Sequence, residues 1–110
     1  MTTTGPTSVV ALEDGRIRRF TVTPEDVGLA RATIADLRGG EAEHNAAALR
    51  AVLAGERTPY RDIAVLNAAA GLVVAGKVAD LREGVAAAEA ALDSGAARAT
   101  LERLVAASNA

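Results

Sequence analysis

The sequence predicts an α+β fold, mostly helical, in which an N-terminal β-hairpin is followed by about four main α-helices around a buried central helix. Three observations carry this. Asp14-Gly15 sits between two runs rich in Val, Ile, Phe and Thr. Ile63 to Ala75 is apolar except for Asn67 and Gly71. Alanine-rich segments with helical spacing, each bounded by cap and stop residues, fill the chain from Glu41 onward.

The hairpin comes first, with Ser8 to Glu13 and Arg16 to Val22 as its strands. Asp-Gly suits a tight turn because both central positions need positive φ. In a two-residue loop register Glu13 faces Arg16, Leu12 faces Ile17, Val9 faces Phe20 and Val10 faces Arg19. The first is a charge match and the second an apolar one. Apolar residues therefore lie on both faces, as in a strand pair set into a larger sheet. A lone hairpin is marginal in water, yet no later segment offers a third strand.

Turns and short helices are expected over 23–40. Thr23-Pro24-Glu25-Asp26 combines a cap, a proline at the first helical position and acids where the helix dipole favours them. Gly28 ends that turn. Thr33 with Asp36 starts another, stopped by Gly39-Gly40.

Residues 41–110 read as a helical bundle. Glu41 to Ala54 is amphipathic, with Asn45, Leu49, Val52 and Leu53 inward, Glu43 and Arg50 outward, and Gly55 closing it. The central helix follows, with Thr58 as cap, Pro59 at its first position and Gly76 at its end. A helix apolar all round belongs inside a folded body, and this one falls short of the ~18 apolar residues of a membrane span. Ala64, Ala68, Gly71 and Ala75 form a small-residue stripe along which a neighbouring backbone could approach. Asp80 and Glu83 open the next helix, which carries Leu81, Val85, Ala88 and Leu92 on one stripe. After Asp93-Ser94-Gly95, Ser94 is the expected cap of a last helix with Ala97, Leu101, Leu104 and Val105 facing in. No repeat of fixed period and no long linker divides the chain, so 1–110 reads as a single partial domain.

Composition narrows the function classes. Half the residues are hydrophobic, but aromatics are only 2%, so core energy rests on scattered Leu, Val and Ile. The net charge of −2 comes from interspersed acids and bases, which leaves no basic stripe for nucleic acid and no polybasic membrane patch. With no cysteine there is no disulfide, thiolate or cysteine–zinc chemistry. Met1 to Pro6 has neither a basic start nor an apolar run, so no secretory signal is visible and the cytoplasm is the expected compartment.

Chemistry-bearing candidates are few. His44 is the only histidine, and as a base it would need a nucleophile or carboxylate arranged around it. One histidine and no cysteine leave only carboxylates for a metal, and no spacing gathers them. Asn67 must find a partner, because a buried unpaired amide costs roughly 1–3 kcal/mol; a tie to a loop or a neighbouring carbonyl is the simplest reading. Gly39-Gly40 precedes a helix start, but Glu41 and Glu43 would repel a phosphate there, so it reads as a turn. No P-loop or other Gly-rich phosphate cradle occurs. The residues themselves thus assign no catalytic, cofactor-binding or metal-binding position.

An ordered set of short motifs adds a resemblance. Thr3-Thr4-Gly5-Pro6-Thr7, Thr23-Pro24-Glu25-Asp26 with Gly28-Leu29, and Asp36-Leu37-Arg38-Gly39-Gly40 with Asn45-Ala46-Ala47 come first. Leu49 to Gly55, Arg61-Asp62, Leu66-Asn67-Ala68-Ala69 and Ala91 to Ala97 follow. Together they resemble the C-terminal part of the anthranilate phosphoribosyltransferase family, from about Thr2 to Ala107, with Glu41 where the family has aspartate. The resemblance implies part of a larger α/β domain in an enzyme of tryptophan biosynthesis. That enzyme transfers a phosphoribosyl group from phosphoribosyl pyrophosphate to anthranilate, using magnesium. It also implies that the phosphate loop, the Lys-His and Arg segments and the magnesium-binding Asp-Glu pair lie upstream of the matched part, with the pair falling just before Met1. The expectation is a structural C-terminal fragment, inactive alone, whose partner is the remainder of that chain. Homo-oligomers through the hairpin or apolar helix faces are the other association considered. The alternatives are a standalone helical interaction module without catalysis, and a self-contained enzyme built on His44.

Overall fold

The computed structural model describes residues 1–110. Strands β1 (Thr7–Glu13) and β2 (Arg16–Val22) lead into a one-turn 3-10 helix (Pro24–Val27). Helices α1 (Ile34–Leu37), α2 (Ala42–Leu53), α3 (Pro59–Val74), α4 (Leu81–Asp93) and α5 (Ala96–Ser108) follow. The fold is α+β and mostly helical, and no helix is long and apolar enough to cross a membrane.

The hairpin has the expected register, with Glu13 opposite Arg16, Leu12 opposite Ile17, Val9 opposite Phe20 and Val10 opposite Arg19. Asp14 (φ 51°) and Gly15 (φ 75°) supply the two positive φ angles that the turn needs. Side-chain alternation puts Val9, Ala11, Phe20 and Val22 on one face, and Val22 is buried. Val10, Leu12 and Ile17 occupy the other face, where they are 60%, 73% and 66% exposed. The sheet has these two strands alone. Both of its outer edges therefore lack a ladder partner.

After the sheet, Thr23 N–H donates to the Asp26 carboxylate at 2.8 Å and Gly28 turns the chain at φ 78°. Thr33 and Asp36 exchange cap hydrogen bonds at the start of α1 in the same way.

Helix α3 is the hub of the helical body. Its Thr58 hydroxyl accepts from Arg61 N–H at 3.2 Å. It closes at Gly76 (φ 70°), where Lys77 N–H returns to Leu72 C=O at 2.9 Å. Val65, Leu66 and Ala69 of α3 meet Val85 and Ala88 of α4, with Val27 and Leu29 completing the core. The two helices cross closely at Gly84, where a Cβ would stand 2.8–2.9 Å from Cβ, Cα and the carbonyl oxygen of Ala69. Asp80 caps α4 by accepting from Glu83 N–H at 2.9 Å, and Glu83 reaches back to Ala79 N–H.

Several expectations differ from this arrangement, and in each case the neighbours decide. The central helix holds its place, touching α1, α2 and most extensively α4, but it is buried on one side only: Val65, Leu66 and Ala69 are covered, whereas Asn67 and Val74 are exposed. Ala64, Ala68, Gly71 and Ala75, the small-residue stripe, all lie on the exposed side. The close backbone approach falls instead at Ala69 and Gly84. On α2, Val52 is buried as expected, but Asn45 and Leu49 are exposed because only the C-terminal end of the helix meets the core. Gly95, at φ 84°, is the residue that starts α5, so Ser94 is not its cap residue; the Ser94 hydroxyl accepts from Ala96 N–H at a long 3.4 Å. Ala97 and Leu101 of α5 are half-buried, whereas Leu104 and Val105 stand 62% and 52% exposed.

The accessible surface is 7291 Å². A compact monomer of this mass, 11.1 kDa, would show about 5,650 Å². The radius of gyration, 15.1 Å, likewise exceeds the roughly 13 Å of a compact chain this long. Large apolar side chains stand exposed on the hairpin (Val10, Leu12, Ile17), on α1 (Ile34), α2 (Leu49), α3 (Val74) and α5 (Leu104, Val105).

Candidate functional site

The buried charge of the molecule is Arg61, which the first turn of α3 places at 1% exposure. Its guanidinium donates to both oxygens of Asp93, the last residue of α4, at 2.8 and 3.1 Å, and to Gly55 C=O at 3.4 Å. One side chain thus ties the α2–α3 loop, the start of α3 and the end of α4. Arg61 Nε has no partner. The bidentate bond holds the Asp93 carboxyl below its usual range and Arg61 above its own. Asp62, one residue on, moves the other way: burial, then the Glu89 carboxylate, push its pKa up. In the sequence Arg61 and Asp93 fall in separate motifs that nothing local joins. The signal for the pair is the antiparallel placement of successive helices, which brings the start of one to the end of the next.

Asn67 is exposed, so burial does not compel its hydrogen bonds, but it does make the expected tie. Its Oδ1 accepts from Met1 N at 2.6 Å, and its Nδ2 donates to Met1 C=O at 2.8 Å and Ile63 C=O at 2.9 Å. The partner is the first residue of the chain.

Gly39 and Gly40 lie in an irregular link between α1 and α2, with a bend at Glu41 rather than the expected turn. Gly40 N–H donates to Asn45 Oδ1 and Asn45 Nδ2 returns to Gly40 C=O, both at 2.9 Å. That amide is therefore already engaged. A Cβ at Gly39 would stand 2.8 Å from Asn45 Oδ1, which explains glycine there. His44 is exposed and lies against Gly40, with no hydrogen-bonded carboxylate or hydroxyl. Nowhere do three His, Asp or Glu side chains converge as a metal would require.

A concavity of about 570 Å³ lies between the hairpin and the second half of α3. Val9, Phe20, Ala70, Val73, Val74 and Leu81 give it an apolar lining. Arg18, stacked 4.5 Å over the Phe20 ring and 3.4 Å from Glu13, marks its rim. The carboxylates lining it are Glu13, paired with Arg18, and Asp80, which accepts from Glu83 N–H at the start of α4.

Comparison with known proteins agrees with the resemblance read from the motifs. A family profile described as "Glycosyl transferase family, a/b domain" matches residues 1–98. The anthranilate phosphoribosyltransferase of Methylobacterium nodulans is 74% identical over 110 residues, all of this chain and 33% of that protein. The enzyme of the same name from Methylorubrum populi is 68% identical over the same span. The crystal structure of anthranilate phosphoribosyltransferase from Thermus thermophilus superposes with a TM-score of 0.79 at 45% identity, covering 90% of this chain and 30% of that one. The chain spans about a third of the length of the curated relatives it matches, 33% in each of these two.

Proposed function

The chain belongs to the glycosyl transferase family, in its a/b domain, and on that footing we propose that it is a structural third of an anthranilate phosphoribosyltransferase. In this reading residues 1–110 are one partial domain that supplies a hairpin and the helices packing against the sheet. The groups that bind phosphoribosyl pyrophosphate and anthranilate lie on the remainder, and this chain alone transfers nothing. The cytoplasm is the setting assigned to it.

The observation that carries the proposal is the place of the unburied apolar surface. The surplus of about 1,600 Å² over a compact monomer is the scale of one side of an obligate interface. It includes Val10, Leu12 and Ile17 on the outer hairpin face and Val74, 89% exposed, on α3. Chemistry supports the same reading. Stabilising a departing pyrophosphate takes a metal or a cradle of aimed donors. Here Arg61 is committed to Asp93 and Arg31 to Glu25. In this reading the magnesium of the full enzyme is held by the remainder.

Mixing this chain with the complementary two thirds of the Methylobacterium nodulans relative tests the proposal. Loss of anthranilate fluorescence with phosphoribosyl pyrophosphate and magnesium is expected only in the mixture. Turnover by this chain alone would overturn it. So would a saturable calorimetric heat with phosphoribosyl pyrophosphate that a mutation within these residues abolishes.

A further inference from the structure

The hairpin has two edges, and they differ. A two-residue loop closes on a hydrogen-bonded pair, here Glu13–Arg16, and bonded pairs then alternate along the ladder. Ala11–Arg18, Val9–Phe20 and Thr7–Val22 are therefore the other bonded pairs. Ser8, Val10 and Leu12 are left with N–H and C=O directed away from β2, and Ile17, Arg19 and Thr21 with theirs directed away from β1. The β1 edge is uncovered, since Val9 to Glu13 border the open concavity beside α3. A free edge of this kind is a template for another strand.

Charge separates the two edges. β1 carries one charge, Glu13, at its turn end, whereas β2 carries Arg16, Arg18 and Arg19. A strand that meets its own copy antiparallel does so about a two-fold axis. For β1 the axis falls on Val10: Val10 faces Val10 of the second copy, Ser8 faces Leu12, Val9 faces Ala11 and Thr7 faces Glu13. Residues with outward groups then meet residues with outward groups, so every outward N–H and C=O of Ser8, Val10 and Leu12 is paired. The matching register on β2 sets Arg19 against Arg19, and like charges directly opposite destabilise a pair.

A third pairing, β1 to the β2 of another copy, repeats by translation across two strands, about 10 Å. The chain measures 43 × 32 × 22 Å, so successive copies would overlap. A two-fold axis avoids this. The hairpin is buried at Val22, beside Thr7, while Leu12 to Arg19 are all exposed. Rotation therefore sends the two helical bodies to opposite ends of the ribbon.

We infer that β1 is a self-pairing edge: two copies of this chain join β1 to β1 antiparallel, with Val10 on the two-fold axis, into a four-stranded sheet. The inference concerns residues 7–22 and stands without the functional reading. Four strands also relieve a hairpin that is marginal alone.

Sedimentation equilibrium and amide exchange on this chain, with no other part of the enzyme present, test the inference apart from that reading. From micromolar to millimolar concentration the mass should rise from 11.1 kDa to twice that. Over the same range exchange at Ser8, Val10 and Leu12 N–H should slow roughly tenfold or more, the effect of gaining one or two net hydrogen bonds. Val10→Pro removes an outward N–H that the hairpin itself does not use, a place where an edge strand tolerates proline, and should leave a monomer. Arg19→Pro does the same to the β2 edge and should leave the dimer. Val10→Lys, at a side chain 60% exposed, puts like charges on the axis. It should weaken the dimer, and added salt should restore it. A monomer at millimolar concentration overturns the inference, as does a mass that grows past two chains. A dimer that survives Val10→Pro, or that Arg19→Pro abolishes, overturns it too.

Discussion

The crossing of α3 and α4 allows one substitution to be tried at two sites with opposite expected signs. Glycine within a helix costs about 0.5–1 kcal/mol relative to alanine, from backbone entropy. At Gly71 a Cβ would meet nothing within 4 Å, so Gly71→Ala should recover that amount. At this chain length about 4 °C of melting temperature corresponds to each kcal/mol, so the gain is about 2–4 °C. At Gly84 the same Cβ would stand 2.8 Å from Ala69 Cβ and 2.9 Å from its Cα and carbonyl oxygen. These are mostly backbone atoms, which cannot swing aside. The helices must separate by several tenths of an ångström along their whole contact. Overpacking of this kind costs about 1–3 kcal/mol. The backbone character of the obstacle puts Gly84→Ala toward the upper part of that range, so after the helix gain a net loss of about 1–2 kcal/mol, or roughly 4–8 °C, remains. Thermal unfolding by circular dichroism reads both. A Gly84→Ala chain as stable as the wild type would refute the close crossing. A Gly71→Ala chain less stable than the wild type would show that the outer stripe of α3 is already packed in the isolated protein. Mixed with the remainder of the enzyme, Gly71→Ala should instead weaken association, since the stripe is then covered.

Leu66, 1% exposed in the core, should cost about 2–5 kcal/mol on truncation to alanine, and an unchanged urea midpoint would contradict its burial. Asp93 has a folded pKa below the ordinary 3.8, so its contribution is present above that pH and fades as pH falls through the lower folded value. The melting temperature of Asp93→Asn should therefore fall further below wild type as pH rises from acid to neutral; a constant gap would mean the Arg61 bond is not formed. Asp62 has a raised folded pKa, so its ionisation opposes folding as pH rises past 3.8. Asp62→Asn should gain on wild type over the same pH rise, and a widening deficit would show the sign is wrong. Glu25, held down to about 2 by Arg31, should keep its ion pair until well below pH 4.5, so chemical shifts reporting an Arg31–Glu25 pair lost near pH 4.5 would contradict the geometry.

What the sequence made legible is what local chemistry decides. Asp14-Gly15 fixes a turn type and with it the whole hairpin register. Thr58-Pro59 and Gly76 mark the ends of α3 because caps act within one turn. The sequence marked Asn67 as the polar residue of an apolar helix, but its side stands exposed, and that its partner is Met1, 66 residues away, was not legible. Burial was read least well. Leu49, Leu104 and Val105 have helical spacing suited to a core, but exposure depends on which element lies opposite, and they stand 49%, 62% and 52% exposed. The stripe of Ala64, Ala68, Gly71 and Ala75 looked like the close-packing line for the same reason, while Gly84 passed as an ordinary helix residue. The Arg61–Asp93 tie spans 32 residues and follows from how α3 and α4 are paired, which periodicity does not state. Of the candidate site, the absence of a phosphate cradle motif was plain from residue types, and the bonding of Gly40 to Asn45 was not.

The account rests on the hairpin being a part made to be covered. Its two strands have apolar groups on both faces and no third strand, and a hairpin alone gains too little burial to offset its ordering entropy. Hydrogen exchange on dilute, monomeric protein, with and without the complementary portion of the Methylobacterium nodulans relative, measures this directly. Amides of β1 and β2 should exchange far faster than those of α3 in the chain alone, and should become protected when the complementary portion is added. Strand amides as protected as α3 in a proven monomer would show that these residues pack their own hairpin, and the structural-third account would be wrong.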